Sequence, residues 1–353
     1  MINPLKPYKG RGAPENPPNR FEKQRVERDP EWKEDEDPAP KTQFYRDLSR
    51  SIISTNDSPD VGGASLNPYR GCEHGCVYCF ARPTHEYLGL SAGIDFESKI
   101  FVKMDAPQLL RKALMASSWK PQVLMMSGVT DCYQPVERRL KITRGCLEVL
   151  AEFRNPVAMI TKNQLVTRDI DVLQELARYS AVSVTFSVTT LRDDLAAVME
   201  PRTARPRARL AALHALAQAG IPAGVNVAPI IPGLNDHEIP SILKAARKQG
   251  AVYAGHTILR LPWAVKDLFQ SWLSHHQPLA KEKILHRIRE MRGGKLYDSR
   301  FGVRMRGEGV YAEQLHNLFE VARRKAGFPD EVPALSAASF RRPSGPQLDL
   351  FEV

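Results

Sequence analysis

Asn67-Pro68-Tyr69-Arg70-Gly71-Cys72-Glu73-His74-Gly75-Cys76-Val77-Tyr78-Cys79-Phe80 is the stretch on which the reading of this chain turns. Its three cysteines stand at the spacing Cys-x3-Cys-x2-Cys, and an aromatic follows the last. Thiolates this close together can wrap one face of an iron–sulfur cube. Such clusters usually take four cysteine ligands, so three leave one iron for something that is not protein. Two blander readings compete. A structural zinc site favours paired Cys-x2-Cys units or a histidine partner, and His74 stands off any usual zinc spacing. A disulfide loop suits a secreted scaffold with an even count, whereas this chain has 5 cysteines.

The spacing and the trailing aromatic resemble the radical S-adenosylmethionine (SAM) superfamily. The resemblance implies a [4Fe-4S] cluster on Cys72, Cys76 and Cys79, with SAM chelating the open iron through its amino and carboxylate groups. Tyr78 and Phe80, beside the ligands, are then cofactor contacts. The implied chemistry is reductive cleavage of SAM to a 5′-deoxyadenosyl radical, which takes a hydrogen atom from the substrate. The protein's share is to hold that radical near one C–H bond and exclude water. An electron donor such as flavodoxin or ferredoxin is implied as well.

Composition sets the wider frame. At 353 residues the chain has room for one large domain or two smaller ones. An apolar content of 42% and a charged content of 25% suit a soluble globular enzyme. No apolar run approaches the roughly 20 residues of a membrane span. Met1-Ile2-Asn3-Pro4-Leu5-Lys6 lacks the apolar core of a signal peptide. A cytoplasmic location, with no membrane partner, is expected. The formal net charge of +10 favours a polyanionic partner.

Residues 1–45 are rich in proline and mixed charge, and are expected to be disordered because they offer little apolar surface to offset ordering. From Lys99, apolar runs alternate with amphipathic ones. The expected strands are Lys99–Lys103, Val123–Met126, Val157–Ile160, Val182–Ser187, Val225–Ile230 and His256–Arg260. Helices are expected between them, one running from Pro206 to Ala219 and stopping at Gly220, a common cap. Six β-α repeats with near-continuous apolar strands predict an α/β fold, a parallel sheet covered by helices. Right-handed crossovers curl it into a partial (β/α)6 TIM-like barrel over about 60–277. The resemblance implies the same architecture. A helical extension over 278–327 and a flexible tail over 328–353 complete the division.

In barrel sheets the active site collects beyond the C-terminal ends of the strands. After the second expected strand come Ser127, Gly128, Thr130 and Asp131, candidates for the SAM ammonium, with Gly128 allowing close backbone approach. Lys162 follows the third and suits the SAM carboxylate. Ser187 ends the fourth and suits the carboxylate or ribose. Glu200 and Arg202 follow, either pairing with each other or touching the cofactor. Pro229, in the fifth, begins an apolar stretch suited to adenine, with Asn235 and Asp236 capping the next helix.

Asn67-Pro68-Tyr69, Thr130-Asp131, Thr161-Lys162 and Glu200-Pro201-Arg202 together resemble the branch related to spore photoproduct lyase and DNA repair photolyase-like proteins. That resemblance covers about residues 60–265 and implies lyase-like chemistry on damaged or modified DNA. Alternatives are modification of tRNA or protein, and a non-catalytic iron–sulfur adaptor associated with DNA. Spore photoproduct lyases carry a cysteine near the second-strand turn that returns a hydrogen atom to the product. Here Val129 precedes Thr130-Asp131 and Cys132 follows, so Cys132 and Tyr133 are the candidate hydrogen donors. A buried apolar role competes for Cys132, and Cys146 reads as core. Finally, Gln347-Leu348-Asp349-Leu350-Phe351 resembles the pentapeptide by which repair proteins dock on the DNA sliding clamp. Its competing fate is to fold back onto the domain.

Overall fold

A computed structural model describes residues 8–22, 40–60 and 62–343. The chain runs through β1 (Gln43–Arg46), β2 (Ile53–Asn56), β3 (Gly63–Leu66) and β4 (Tyr69–Arg70), then α1 (Ile94–Ser98), β5 (Lys99–Val102) and α2 (Ala106–Met115). Alternation follows, with β6 (Leu124–Met126), α3 (Glu137–Leu140), α4 (Ile142–Phe153), β7 (Val157–Thr161) and α5 (Ile170–Ala177). Next come β8 (Val182–Ser187), α6 (Asp193–Met199), α7 (Pro206–Gln218), β9 (Ala223–Ile230), α8 (Ile239–Lys248) and β10 (Tyr253–Ile258). Helices α9 (Val265–His276), α10 (Lys281–Glu290) and α11 (Val310–Lys325) complete the order.

The main sheet has 7 strands in the order β10-β9-β8-β7-β6-β3-β2. All pairings from β3 to β10 are parallel, and β2 joins β3 antiparallel at the edge. These six parallel strands form the partial (β/α)6 barrel. The apolar runs make its middle because both faces are covered. β8, for example, buries Val182, Val184 and Phe186 completely. Helix α4 turns Cys146, Leu147, Leu150 and Phe153 onto the sheet, and it packs between α2 and α5. Gly220 ends α7 with a φ of 74°, the left-handed cap that glycine adopts without strain.

The first barrel strand is β3, not the expected Lys99–Lys103 run. Lys99–Val102 pairs instead with β1 and β4 in a separate sheet of 3 strands. The correction matters for the site. The cysteine stretch follows β3 directly, so it leaves the C-terminal end of the first barrel strand. Gly-Ala-Ser-Leu does alternate, burying Ala64 and Leu66, but four residues with only one large side chain are too short a run to announce a strand.

The described parts of both terminal stretches are better ordered than composition implies. Within the arm expected to be disordered, Arg11, Gly12 and Ala13 are buried, and residues 43–46 form β1. The anchor is polar. Asn19 donates to the Glu86 and Leu90 carbonyls at 2.9 and 3.1 Å, and Arg11 donates to the Glu97 carbonyl at 2.9 Å. The tail expected to be flexible packs back as far as residue 343. Phe340 lies 6.2 Å from Phe153, and Arg342 donates to the Leu114, Ala116 and Trp119 carbonyls. The clamp-like Gln347–Phe351 lies outside the described residues. Among the described residues no helix is long and apolar enough to cross a membrane.

Candidate active site

Cys72, Cys76 and Cys79 lie in one largely buried loop braced by α1, the end of α6 and the loop after β6. Cys72 N donates to the Phe96 carbonyl at 2.9 Å and Val77 N to Met199 at 3.1 Å, while Arg202 N donates to the His74 carbonyl at 3.2 Å. Glu73 accepts from Val136 N at 2.8 Å and from Arg202 at 3.0 Å. Gln134 accepts from Glu73 N and donates to the Gly71 carbonyl.

Beneath the loop runs a charge the sequence did not announce. The Arg82 side chain is fully buried and donates to the Cys76, Gly75, Ala92 and Gly93 carbonyls and to Glu97. Its partner, Glu97, also accepts from Gly12 N at 3.0 Å and Ala13 N at 2.8 Å. The fit there is close. Gly75 has a φ of 67°, and a Cβ on it would sit 2.6 Å from the Glu97 Oε2. A Cβ on Gly12 would sit 1.7 Å from the Gly75 carbonyl oxygen.

Burial pushes all three thiols up, and Cys76 and Cys79 add to the rise at Cys72. Three cysteine thiols on one loop suit a polynuclear cluster, in which each sulfur binds its own iron. They suit a tetrahedral zinc poorly, since that needs four ligands on one point. The donor set thus fits an iron–sulfur cluster held by Cys72, Cys76 and Cys79.

A second cluster of groups meets Tyr78. Glu200 is wholly buried and accepts from Tyr78, Thr189 and Arg209. Lys162 Nζ stands 3.6 Å from Glu200 Oε1, 3.2 Å from the Ala228 carbonyl and 5.7 Å from the Tyr78 ring centroid. Burial alone would raise the Glu200 carboxyl. Arg209 foremost, then Lys162, Thr189 and Tyr78, outweigh it and hold the group at about 2 against its ordinary 4.5. A depressed carboxyl stabilises the fold fully above pH 4.5, and that stability drains as pH falls toward 2. Tyr78→Phe removes one donor, so the acid-unfolding midpoint is expected to move to higher pH. The neutral-pH loss is about 1–2 kcal/mol, read by circular dichroism across a pH series. An unchanged midpoint would show that Tyr78 does not hold Glu200 ionised.

The structure sorts the other expected residues. The positive φ at the second-strand turn belongs to Ser127 (72°) rather than Gly128, where a Cβ would meet only ordinary contacts at 3.8 Å. Ser127 Oγ accepts from Cys132 N, and Thr130 donates to the Tyr69 carbonyl. Asp131 accepts from Thr161, Lys162 N and Tyr133 N, and lies 3.4 Å from His74 Nδ1. His74 and these donors hold it ionised against burial. All three groups hydrogen-bond to protein. Cys132 and Tyr133, the expected hydrogen donors, are 0% exposed core residues, and Tyr133 donates to Asp169 at 3.0 Å. Glu200 and Arg202 do not pair, because each has a different counter-ion, Arg209 and Glu73. Ser187 ends β8, and its carbonyl accepts from Arg209. The Pro229 carbonyl accepts from Asn235. Phe80 is 45% exposed, its ring under the Arg260 guanidinium at 4.6 Å. Sequence reasoning missed Arg82, Thr189 and Arg209. The one signal for Arg82 was its place three residues past the last motif cysteine.

Residues 66–246 match the family model described as the radical SAM superfamily. An uncharacterized protein of Mycobacterium tuberculosis strain H37Rv is 34% identical over 254 residues, covering 70% of this chain and 73% of that one. An uncharacterized protein of Methanocaldococcus jannaschii is 30% identical over 173 residues, covering 49% and 62%. Among solved structures, spore photoproduct lyase complexed with dinucleoside spore photoproduct aligns with a TM-score of 0.56 at 15% identity, covering 80% of this chain and 79% of that one. A mutant of that lyase with bound AdoMet and dinucleoside spore photoproduct aligns at 0.53 and 16%, covering 80% and 77%. At those identities the likeness is one of fold.

Proposed function

The chain belongs to the radical SAM superfamily, and from that premise we propose that it is an enzyme of the superfamily acting on nucleic acid, damaged or modified DNA above all. Membership implies an iron–sulfur cluster and SAM. The observation that carries the reading is the gathering of Cys72, Cys76 and Cys79 in one loop beyond β3, with the Lys162 ammonium 5.7 Å from the centroid of the Tyr78 ring. The cluster and SAM together supply the hydrogen-abstracting radical. This chain's own residues bind, orient and shield.

Cys72, Cys76 and Cys79 hold the cluster. Lys162 has three N–H donors and two protein partners, which leaves one for the SAM carboxylate. Glu200 fixes the Lys162 ammonium and is itself fixed by Arg209. Ser187 and the Ala228–Pro229 backbone lie at neighbouring strand ends, suited to the nucleoside. Two things favour a nucleic-acid substrate. One is the net charge of +10, and the other is the fold shared with a lyase solved with a dinucleoside photoproduct.

Anaerobic turnover with deuterated DNA tests the reading. Reductive SAM cleavage is expected, with deuterium recovered in 5′-deoxyadenosine. Cleavage with label arriving only from RNA or protein would move the substrate assignment. No cleavage at all by cluster-loaded protein would leave a cluster-bearing adaptor.

A further inference from the structure

Two short segments meet beside the cysteine loop, and aromatic rings line both. One runs from Phe80, directly after Cys79, to Tyr87. The other runs from Arg260 to Trp263, just past the C-terminal end of β10. They meet at both ends. The Arg260 guanidinium lies over Phe80 at 4.6 Å. Arg20 lies over Trp263 at 4.0 Å, Phe21 at 4.6 Å and Tyr87 at 5.3 Å. The Phe21 and Tyr87 rings stand 5.0 Å apart.

These rings are not core. Phe80, Trp263, Phe21 and Tyr87 are 45%, 55%, 57% and 70% exposed. Grouped exposed apolar surface marks an interaction site more often than scattered residues do. Trp263 also takes a φ of 45°, a left-handed conformation that bulky residues seldom adopt unless the surroundings enforce it. Arg260 adds a polar demand. Its Nη1 donates to the Met305 sulfur at 3.4 Å, its buried Nε has no partner, and no carboxylate among the described residues pairs with it. An unanswered guanidinium N–H is costly and suits an anionic oxygen.

We propose that this rim receives an unpaired nucleobase of the substrate strand, which stacks at Trp263 while Arg260 takes an adjoining phosphate. The inference rests on the nucleic-acid reading above and adds where the strand lies. Every base has a π-face that stacks on aromatic and arginine planes, and an enzyme that works on a base takes it out of the duplex stack. Phe80 follows a cluster cysteine in the chain, so the platform borders the reactive centre. An acidic peptide would satisfy Arg260 but would leave four exposed rings unexplained.

Fluorescence anisotropy of the full chain tests this, using a labelled single strand of about a dozen nucleotides at about 0.1 M salt. Trp263→Ala is expected to weaken binding about 10-fold, and Trp263→Phe to keep most of it. A fully abasic strand of the same length should bind wild type and Trp263→Ala alike, because no base remains to stack. Arg260→Gln should weaken both strands and lower the salt slope by about one. Equal loss of both strands in Trp263→Ala would overturn the proposal, since misfolding would do that. Wild-type binding matched by Trp263→Ala on the intact strand would overturn the platform alone. A wild-type chain that binds no strand would overturn both the platform and the nucleic-acid reading.

Discussion

Cys76→Ala protein, reconstituted anaerobically, is expected to lose its iron and its SAM cleavage together. The loss should exceed the roughly 10–100-fold that removal of an outer-sphere partner costs a metal site, because a ligand itself is gone. Cys72→Ala and Cys79→Ala should behave the same way. The informative controls are the remaining cysteines. Cys132 and Cys146 are 0% exposed in the main core, so Cys132→Ala and Cys146→Ala should keep the iron and lose only packing. Iron per chain, the brown absorbance and 5′-deoxyadenosine by chromatography give three independent readings. Iron retained by Cys76→Ala, or zinc in the wild-type protein, would end the cluster assignment.

Arg82→Met should be the most damaging change outside the ligands. Both members of the Arg82–Glu97 pair have fully buried side chains, 2.5 Å apart. Removing one partner of such a pair typically costs about 3–5 kcal/mol, because the other charge is left buried. Arg82→Lys cannot rescue it, since a point-like ammonium cannot reach the Cys76, Gly75 and Gly93 carbonyls as a planar fork does. The double variant Arg82→Met/Glu97→Gln should recover part of the loss. The orphaned charge goes, while the one glutamine carbonyl oxygen keeps the bond from either Gly12 N or Ala13 N and its NH2 leaves the other unmet, so the recovery is partial. Thermal unfolding together with iron content measures both halves. A double variant less stable than Arg82→Met would show that the pair is not the reason for the loss.

What was legible followed the physics of each signal. The cysteine spacing and the apolar runs are covalent or periodic facts, so the cysteine loop and β6 to β10 stood close to where the sequence put them. β3 was hidden because a four-residue alternation with a single large apolar side chain looks like a loop. Arg82 and Arg209 were hidden because a buried arginine and a surface arginine are the same letter, and only the fold supplies their carboxylates. The docking of Gly12 and Ala13 was hidden for another reason. It uses backbone N–H groups, which every sequence has. The protein partners of Ser127, Thr130 and Asp131 were hidden because polar residues at a strand end can satisfy protein as readily as cofactor.

The Glu97 carboxylate ties together two stretches at very different separations. Arg82 lies 15 residues away along the chain, Gly12 lies 85. Loop-closure entropy makes the longer closure about 1.5 kcal/mol less favourable, so weakening Glu97 should release the N-terminal strap across Gly75 more readily than it releases Arg82.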